Sequence, residues 1–261
     1  MNQHALTVLF DYDSLIYKAV YKVVDIQTMK QWFSQGKDKD WMRSKIVEEG
    51  INRLVAMAGQ IFTEIEDTGI LIGEVEYYIT NAPKSRRRLI SKAYKSNRKP
   101  NKWVNQIRKY LIEMAFAKTH PEWEADDLIS DRAKELGADQ CLILTMDKDL
   151  KQIPGIHFNY YRPKVTNENG VKVSGDAKGL EVVSNEEARY SFWISMLTGD
   201  HGDKISGING IGPKKGAKIL DGKEDLKAAV METYQSNYGT SWNLHFMNNY
   251  RLLGLGTKLF T

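Results

Sequence analysis

Eight carboxylates fall in four clusters along the chain: Asp11; Glu124, Asp126 and Asp127; Asp147 and Asp149; Asp200 and Asp203. Each alone reads as a solvated surface group or a helix cap. Four clusters in one chain shift the weight toward a shared crevice. Like charges there repel by roughly 4 kcal/mol per pair at about 4 Å, in a medium of dielectric about 20. Hard divalent cations relieve that repulsion, and an oxygen ligand set favours Mg²⁺ or Mn²⁺ over zinc. Two such ions would polarise a phosphate, activate water and stabilise a leaving oxygen.

A basic stretch supplies the complement. From Lys84 to Lys109 there are eleven Lys or Arg residues and no Asp or Glu. Within it, Arg86, Arg87 and Lys92 suit contact with a polyanion, while Lys95 and Arg98 could hold a reacting phosphate. Tyr94 could stack on an unpaired base. Further on, Gly207, Gly210 and Gly212 lead into Pro213, Lys214 and Lys215. Glycines let a backbone approach a phosphate, and proline suits the first turn of a helix. Ile208 and Ile211 are expected to anchor that loop in a core, leaving it to grip duplex backbone without reading bases.

The elements that must position these groups are legible as runs. Ala5–Phe10, Val75–Thr80 and Cys141–Met146 are short apolar segments, each followed by a polar residue, and they predict strands buried on both faces of a parallel sheet. Helical spacing over Ile46–Phe62 and Trp103–Ala117 predicts an α/β core, whose ligand crevice lies at the carboxyl ends of the strands. Glu124–Asp127 is expected to open a helix after Pro121. Ile156–Tyr161 and Val171–Val173 flank the turn-rich Asn167–Gly170 as a hairpin or extended loop. Ser184 and Glu187 form a capping box for a helix to about Thr198, stopped by Gly199. A division into a core over 1–184 and a helical region over 185–261 is expected.

Composition sets limits. Net charge is +4, hydrophobic residues make up 42% of the 261 and Cys141 is the only cysteine, so neither an internal disulfide nor a thiolate zinc cage can form. No apolar run reaches the roughly 20 residues of a membrane span, and the first residues lack a secretion signal. The expectation is a cytoplasmic, monomeric protein with no membrane partner.

Taken together, Phe10-Asp11-Tyr12-Asp13, Tyr94-Lys95-Ser96-Asn97-Arg98, Glu124-Ala125-Asp126-Asp127, Thr145-Met146-Asp147-Lys148-Asp149 and Gly199-Asp200-His201-Gly202-Asp203 resemble the flap endonuclease/5′-exonuclease family, especially its bacteriophage branch. The resemblance implies a PIN-like 5′-nuclease core, a mobile helical arch over about 84–110, and a helix-hairpin-helix-type DNA clamp over about 204–220, sometimes holding K⁺. It implies a metal pair bound by Asp11, Glu124, Asp126 and Asp127, completed by Asp147, Asp149, Asp200 and Asp203. Lys95 and Arg98 would contact the scissile phosphate, and Tyr94 would stack nearby. The implied substrates are DNA with 5′ ends, flaps or nicks, or RNA–DNA, in phage-type replication. One departure is plain: where the family carries an Asp after the second strand, this chain has Thr80-Asn81. That motivates a rival reading, a catalytically silent DNA-binding protein of the same fold. A PIN-like ribonuclease is a second rival, opposed by the glycine segment and by Tyr94–Arg98.

Overall fold

The structure is a computed structural model that describes residues 5–20, 26–166 and 172–260. From the amino terminus, β1 (Leu6–Asp11) runs into α1 (Tyr12–Val20), α2 (Ile26–Ser34) and the long α3 (Lys39–Glu66). Then come β2 (Ile72–Tyr78), α4 (Arg86–Ile90), α5 (Lys102–Glu113), α6 (Ala125–Leu136), β3 (Cys141–Thr145) and a 3₁₀ turn over Lys148–Gln152. β4 (Gly155–Asn159), β5 (Lys164–Thr166), β6 (Lys172–Ser174) and β7 (Gly179–Val183) precede α7 (Asn185–Thr198). The chain ends with β8 (Gly199–Asp200), β9 (Ile205–Ser206), α8 (Pro213–Leu220), α9 (Leu226–Tyr238), α10 (Trp242–Leu253) and a short 3₁₀ turn.

The main sheet has the order β2-β1-β3-β4-β7, parallel except for the antiparallel β4–β7 edge. β1 and β3 sit inside it, and their side chains are nearly all inaccessible to water, as continuous apolar runs require. Helices α1, α3 and α5 pack on one face through Leu15, Ile16, Leu54, Ile61, Ile107 and Leu111. On the other face α6 packs through Ala125, Ile129 and Ala133. A separate apolar cluster holds Trp193, Met196, Leu197, Ile208, Ile211, Val230, Tyr234 and Phe246, which joins α7 to the helices after it.

Three boundaries differ from the sequence expectation. β2 stops at Tyr78 because β1 ends opposite it at Asp11; beyond, Ile79 N–H donates to the Lys118 carbonyl instead of to a neighbouring strand. α3 begins seven residues earlier than expected, at Lys39, because the Asp38 carboxylate caps the N–H groups of Asp40 and Trp41. The anticipated hairpin is displaced: Ile156–Asn159 belongs to the main sheet, and the paired arms are β5 and β6. Its turn over Asn167–Gly170, with Val171, lies outside the described residues. The Ser184–Glu187 capping box and the Gly199 stop of α7 are both present, Gly199 adopting φ 70°. Among the described residues no helix is long and apolar enough to cross a membrane.

Candidate acidic cleft and its cationic wall

Parallel strands β1 and β3 end side by side, so Asp11, the last residue of β1, and Asp147, two residues past β3, emerge at the same sheet edge. Asp126 joins them from the first turn of α6. Asp149 follows in the 3₁₀ turn capped by the Asp147 carboxylate, which accepts the Asp149 N–H at 2.9 Å. Asp200 and Asp203 stand on the β8–β9 hairpin, and the Asp200 carboxylate accepts from Gly202 and Asp203 N–H groups. A small cleft of ≈ 20 Å³, room for about one water-sized body, is lined by Asp126, Asp149, Asp200 and Asp203 among others.

Asp11, Asp126 and Asp147 have no ion-pair partner among the described residues, and the consequence is mutual. Burial, then the charges of Asp13 and Asp147, push the Asp11 carboxyl up to about 7, although hydrogen bonds from Thr145 (2.9 Å) and Ser14 (3.0 Å) oppose the shift. Burial, then Asp147 and Asp11, raise Asp126 well above the carboxylate range. Burial, with Asp147 and Asp200 behind it, pushes Asp149 up to about 7. Asp11 and Asp126 are acids short of positive charge, and Asp149 has only Lys148, at 4.0 Å, to oppose its shift.

The other acids are answered by the basic segment. Arg87, expected to meet nucleic acid, is instead buried at 3% exposure. Its guanidinium grips Asp127 through both oxygens, at 2.6 and 2.7 Å, and donates to the Leu252 and Gly254 carbonyls. Asp127 also accepts from Gly256 N–H, so it is a structural counter-ion and not a group open to a cation. Glu124 accepts from Lys95 Nζ at 2.5 Å and from the Tyr94 hydroxyl at 3.0 Å. Burial would raise Glu124, but Lys95 and Arg87 outweigh it and hold it low. Arg98 pairs with Asp203, and Lys95 Nζ lies 3.6 Å from the same carboxylate. Burial disfavours the charged form at Asp200 too, yet Lys148 at 3.3 Å keeps its carboxyl below the ordinary value.

This overturns two further expectations. Tyr94 is buried at 4% exposure with its ring in the α7–α10 cluster, where it cannot stack on a base in this arrangement. The segment 84–110 does not stand out as one helical arch. α4 and Tyr94 pack on the second cluster, α5 packs on the first through Val104 and Ile107, and backbone and side-chain bonds tie Lys95 and Asn97 to the Gly202–Asp203 loop. The apolar residues interleaved with the cations are the cause, since burying them docks the segment. Lys92 remains exposed, and Arg86 pairs with Glu122 at 2.7 Å.

Asn81 lies three residues past the end of β2, exposed and in irregular structure. The carboxylate at that strand end is Asp13, from the first turn of α1. Its oxygens accept from Thr80 N–H at 2.9 Å and from Arg108 at 2.8 Å, and its charge acts on Asp11. Asp13 is thus a residue the sequence reading left without a role, although it stands two positions from Asp11. Thr80 and Thr145 also escaped that reading. Thr80 Oγ1 accepts from Ala125 N–H, and Thr145 Oγ1 links Asp11 to the Asp147 backbone.

In the glycine segment, Ile208 and Ile211 are buried as expected, and Gly212 caps α8 with Pro213 in its first turn. Gly207 has a packing reason: an added Cβ would meet the Thr198 carbonyl carbon at 2.2 Å. Gly210, at φ 74°, and Gly212 face open space, and Lys214 and Lys215 are exposed beside them.

Hard oxygen donors in mutual repulsion fit one or two divalent cations. Among the described residues no three such side chains yet close on a common point, so ligation requires side-chain adjustment.

Fold and site together define an open α/β protein with carboxylates at the strand ends and a basic segment across them. No protein-family model matches the chain. Flap endonuclease Xni of Colwellia psychrerythraea is 29% identical over 151 residues, 54% of this chain and 49% of that protein. The protein of the same name from Shewanella halifaxensis is 30% identical over 141 residues, 51% of this chain and 54% of its own. DNA polymerase I of Caldicellulosiruptor bescii is 30% identical over 158 residues, covering 55% of this chain and 17% of the polymerase. The chain spans about half the length of the flap endonucleases it matches. Its fold matches bacteriophage T5 5′-exonuclease with zinc bound, at a TM-score of 0.57 and 15% identity, over 98% of this chain and 96% of that one. A T5 D15 protein crystallised with metal ions gives 0.56 and 16%, over 95% and 89%. Over about half of its length the chain is thus similar in sequence to flap endonucleases, and over nearly all of it the fold is that of the T5 5′-exonuclease.

Proposed function

We propose that this chain is a metal-dependent, structure-specific 5′-nuclease that hydrolyses phosphodiesters of DNA, or of RNA–DNA, near 5′ ends, flaps or nicks. The observation that carries the reading is the convergence of Asp11, Asp126 and Asp147 from three elements without a cation among them, facing Lys95 and Arg98. The similarity to flap endonucleases, and the shared fold with a T5 flap endonuclease solved with DNA and metal ions, support it.

Asp11, Asp126 and Asp147, with Asp149, would hold Mg²⁺ or Mn²⁺. Bound there, the ions supply charge to polarise the phosphate and lower the pKa of water. Thr145 orients Asp11 by its hydroxyl. Lys95 and Arg98 turn from Glu124 and Asp203 to the substrate phosphate, so their charge is present where negative charge grows. Lys214, Lys215 and the open backbone at Gly210 and Gly212 hold duplex phosphates away from the reacting bond; K⁺ at this loop, action in phage-type replication and a monomeric state complete the proposal.

The second reading, a silent DNA-binding protein, draws on the Lys95–Glu124 pair, which occupies a cation that the reaction would need. One experiment separates them: 5′-flap, nicked and RNA-primed duplexes incubated with Mg²⁺, with Mn²⁺ and with excess EDTA. Cleavage only with the cations supports the nuclease, whereas tight binding with no cleavage under any condition supports the silent protein.

A further inference from the structure

Behind the acidic cleft lies a larger cavity of ≈ 240 Å³, between α6, α7 and α10. Phe192, Trp193 and Tyr250 form an aromatic wall, with ring centroids 4.8 to 6.3 Å apart. Its lining contains two cations, Lys134 and Arg189, and no acid. Arg189 is exposed and has no ion pair among the described residues; Lys134 leans on Asp131 at a loose 3.9 Å. The cavity is smaller than the roughly 300–1,000 Å³ of sites that enclose a drug-sized ligand. It therefore takes in only the flat part of an occupant and leaves the charged end at its mouth, beside the exposed Arg189 and Lys134. Aromatic rings set at 47° to 87° to one another, with two cations, three neutral polar side chains and no acid, suit a small anion whose aromatic body packs on one ring.

The cavity and the cleft share one partition, the turn after α10. Leu255 lines both spaces. The turn's carbonyls are held from either side: Leu252 and Gly254 by Arg87, and Leu253 by Gln152 at 3.0 Å. The turn stands between the cleft and the aromatic rings, which favours a separate molecule as the occupant.

We propose that this cavity binds a free nucleoside 5′-monophosphate, with the base on the aromatic wall and the phosphate at Arg189 and Lys134. The choice of a nucleotide among flat anions rests on the nuclease reading, since phosphodiester hydrolysis liberates such molecules. The shared turn couples its occupancy to Arg87, and through Arg87 to Asp127 at the cleft.

The test uses the full chain in EDTA, where no cleavage takes place, with 2′-deoxyadenosine 5′-monophosphate as the probe in saturation-transfer NMR and calorimetry. Saturable binding is expected, weakened roughly tenfold, or about 1.4 kcal/mol, in the double variant Arg189→Glu/Lys134→Glu. Both side chains are exposed, and an unchanged melting curve shows that the variant folds. Deoxyadenosine and inorganic phosphate, each alone, should compete more weakly than the nucleotide. Absence of saturable binding, equal competition by inorganic phosphate, or undiminished binding in the double variant overturns the site. Quenching of a 2-aminopurine at the unpaired end of a duplex, lost in the double variant while the mononucleotide fails to bind, reassigns the cavity to a strand and overturns it too. A chain that cleaves no substrate yet binds the nucleotide as described keeps this site and loses the nuclease reading.

Discussion

In one part of the cleft Glu124, Asp127, Asp200 and Asp203 each meet a Lys or Arg within 4 Å, and Asp149 has only Lys148 at 4.0 Å; in the other Asp11, Asp126 and Asp147 meet none. The two groups share residue type, neighbourhood and sheet edge, yet their chemistry differs. A carboxylate with its own cation is a structural part, stabilising as long as the pair stays intact. A carboxylate surrounded by other carboxylates stores repulsion that an added cation can discharge. An acidic cluster is therefore better read by what balances each charge than by how many charges it holds.

The sharpest way to break the comparison is Arg87→Met. It strands Asp127 and frees two carbonyls at once, so a loss of about 3–5 kcal/mol is expected, as for one partner of a buried pair. Urea unfolding at neutral pH measures it, and a change within error would make Asp127 a free acid after all.

Next, Asp126→Asn should do the reverse in EDTA. Removing one repelling charge is expected to stabilise by about 1 kcal/mol, or roughly 2–4 °C in melting temperature for a chain of this size. Asp127→Asn should destabilise under the same conditions, and cleavage should be lost in the Asp126 variant. Melting shifts of the same sign in the two variants would erase the distinction.

The pH dependence follows from the same division. Asp11 and Asp149 have folded values raised to about 7 from 3.8, so the folded state binds their protons more tightly than the unfolded chain does. Their contribution is fully present below pH 3.8 and is lost as pH rises through about 7. Glu124 and Asp200 run the other way: their folded values are depressed, and their contribution is lost as pH falls through those values. In EDTA the melting temperature should therefore decline between pH 5 and pH 8, by roughly several degrees. Saturating Mn²⁺ should flatten that decline. An identical decline in Asp11→Asn would remove Asp11 from the account.

Lys95→Ala probes the boundary between the groups. Glu124 and Asp203 lose an ammonium, so Mn²⁺ affinity by calorimetry should rise about threefold to tenfold, while single-turnover cleavage falls. Unaltered Mn²⁺ affinity would show that Lys95 does not compete for that charge. Asn81→Asp is the smallest effect. With Asn81 exposed beyond the strand end, Mg²⁺ titrations of cleavage should superimpose within about twofold. A clear gain in Mg²⁺ affinity would place position 81 inside the cleft.

Much of this architecture is written locally. The apolar runs of β1 and β3, the Ser184–Glu187 box, the Gly199 stop and the Gly212-Pro213 start of α8 each depend on residues a few positions apart, and they are read from the chain without knowing its path. The order of the acidic clusters is equally plain. Which acids keep a free charge is not. Arg87 finds Asp127 across 40 positions, Lys95 finds Glu124 across 29 and Arg98 finds Asp203 across 105. A run of cations looks like one basic surface in the sequence, yet the apolar residues among them decide which face is buried and which carboxylate each cation meets. Coulomb energy depends on separation in space and on the water left between the charges, so only the packed structure could separate the acids that have a cation from those that lack one.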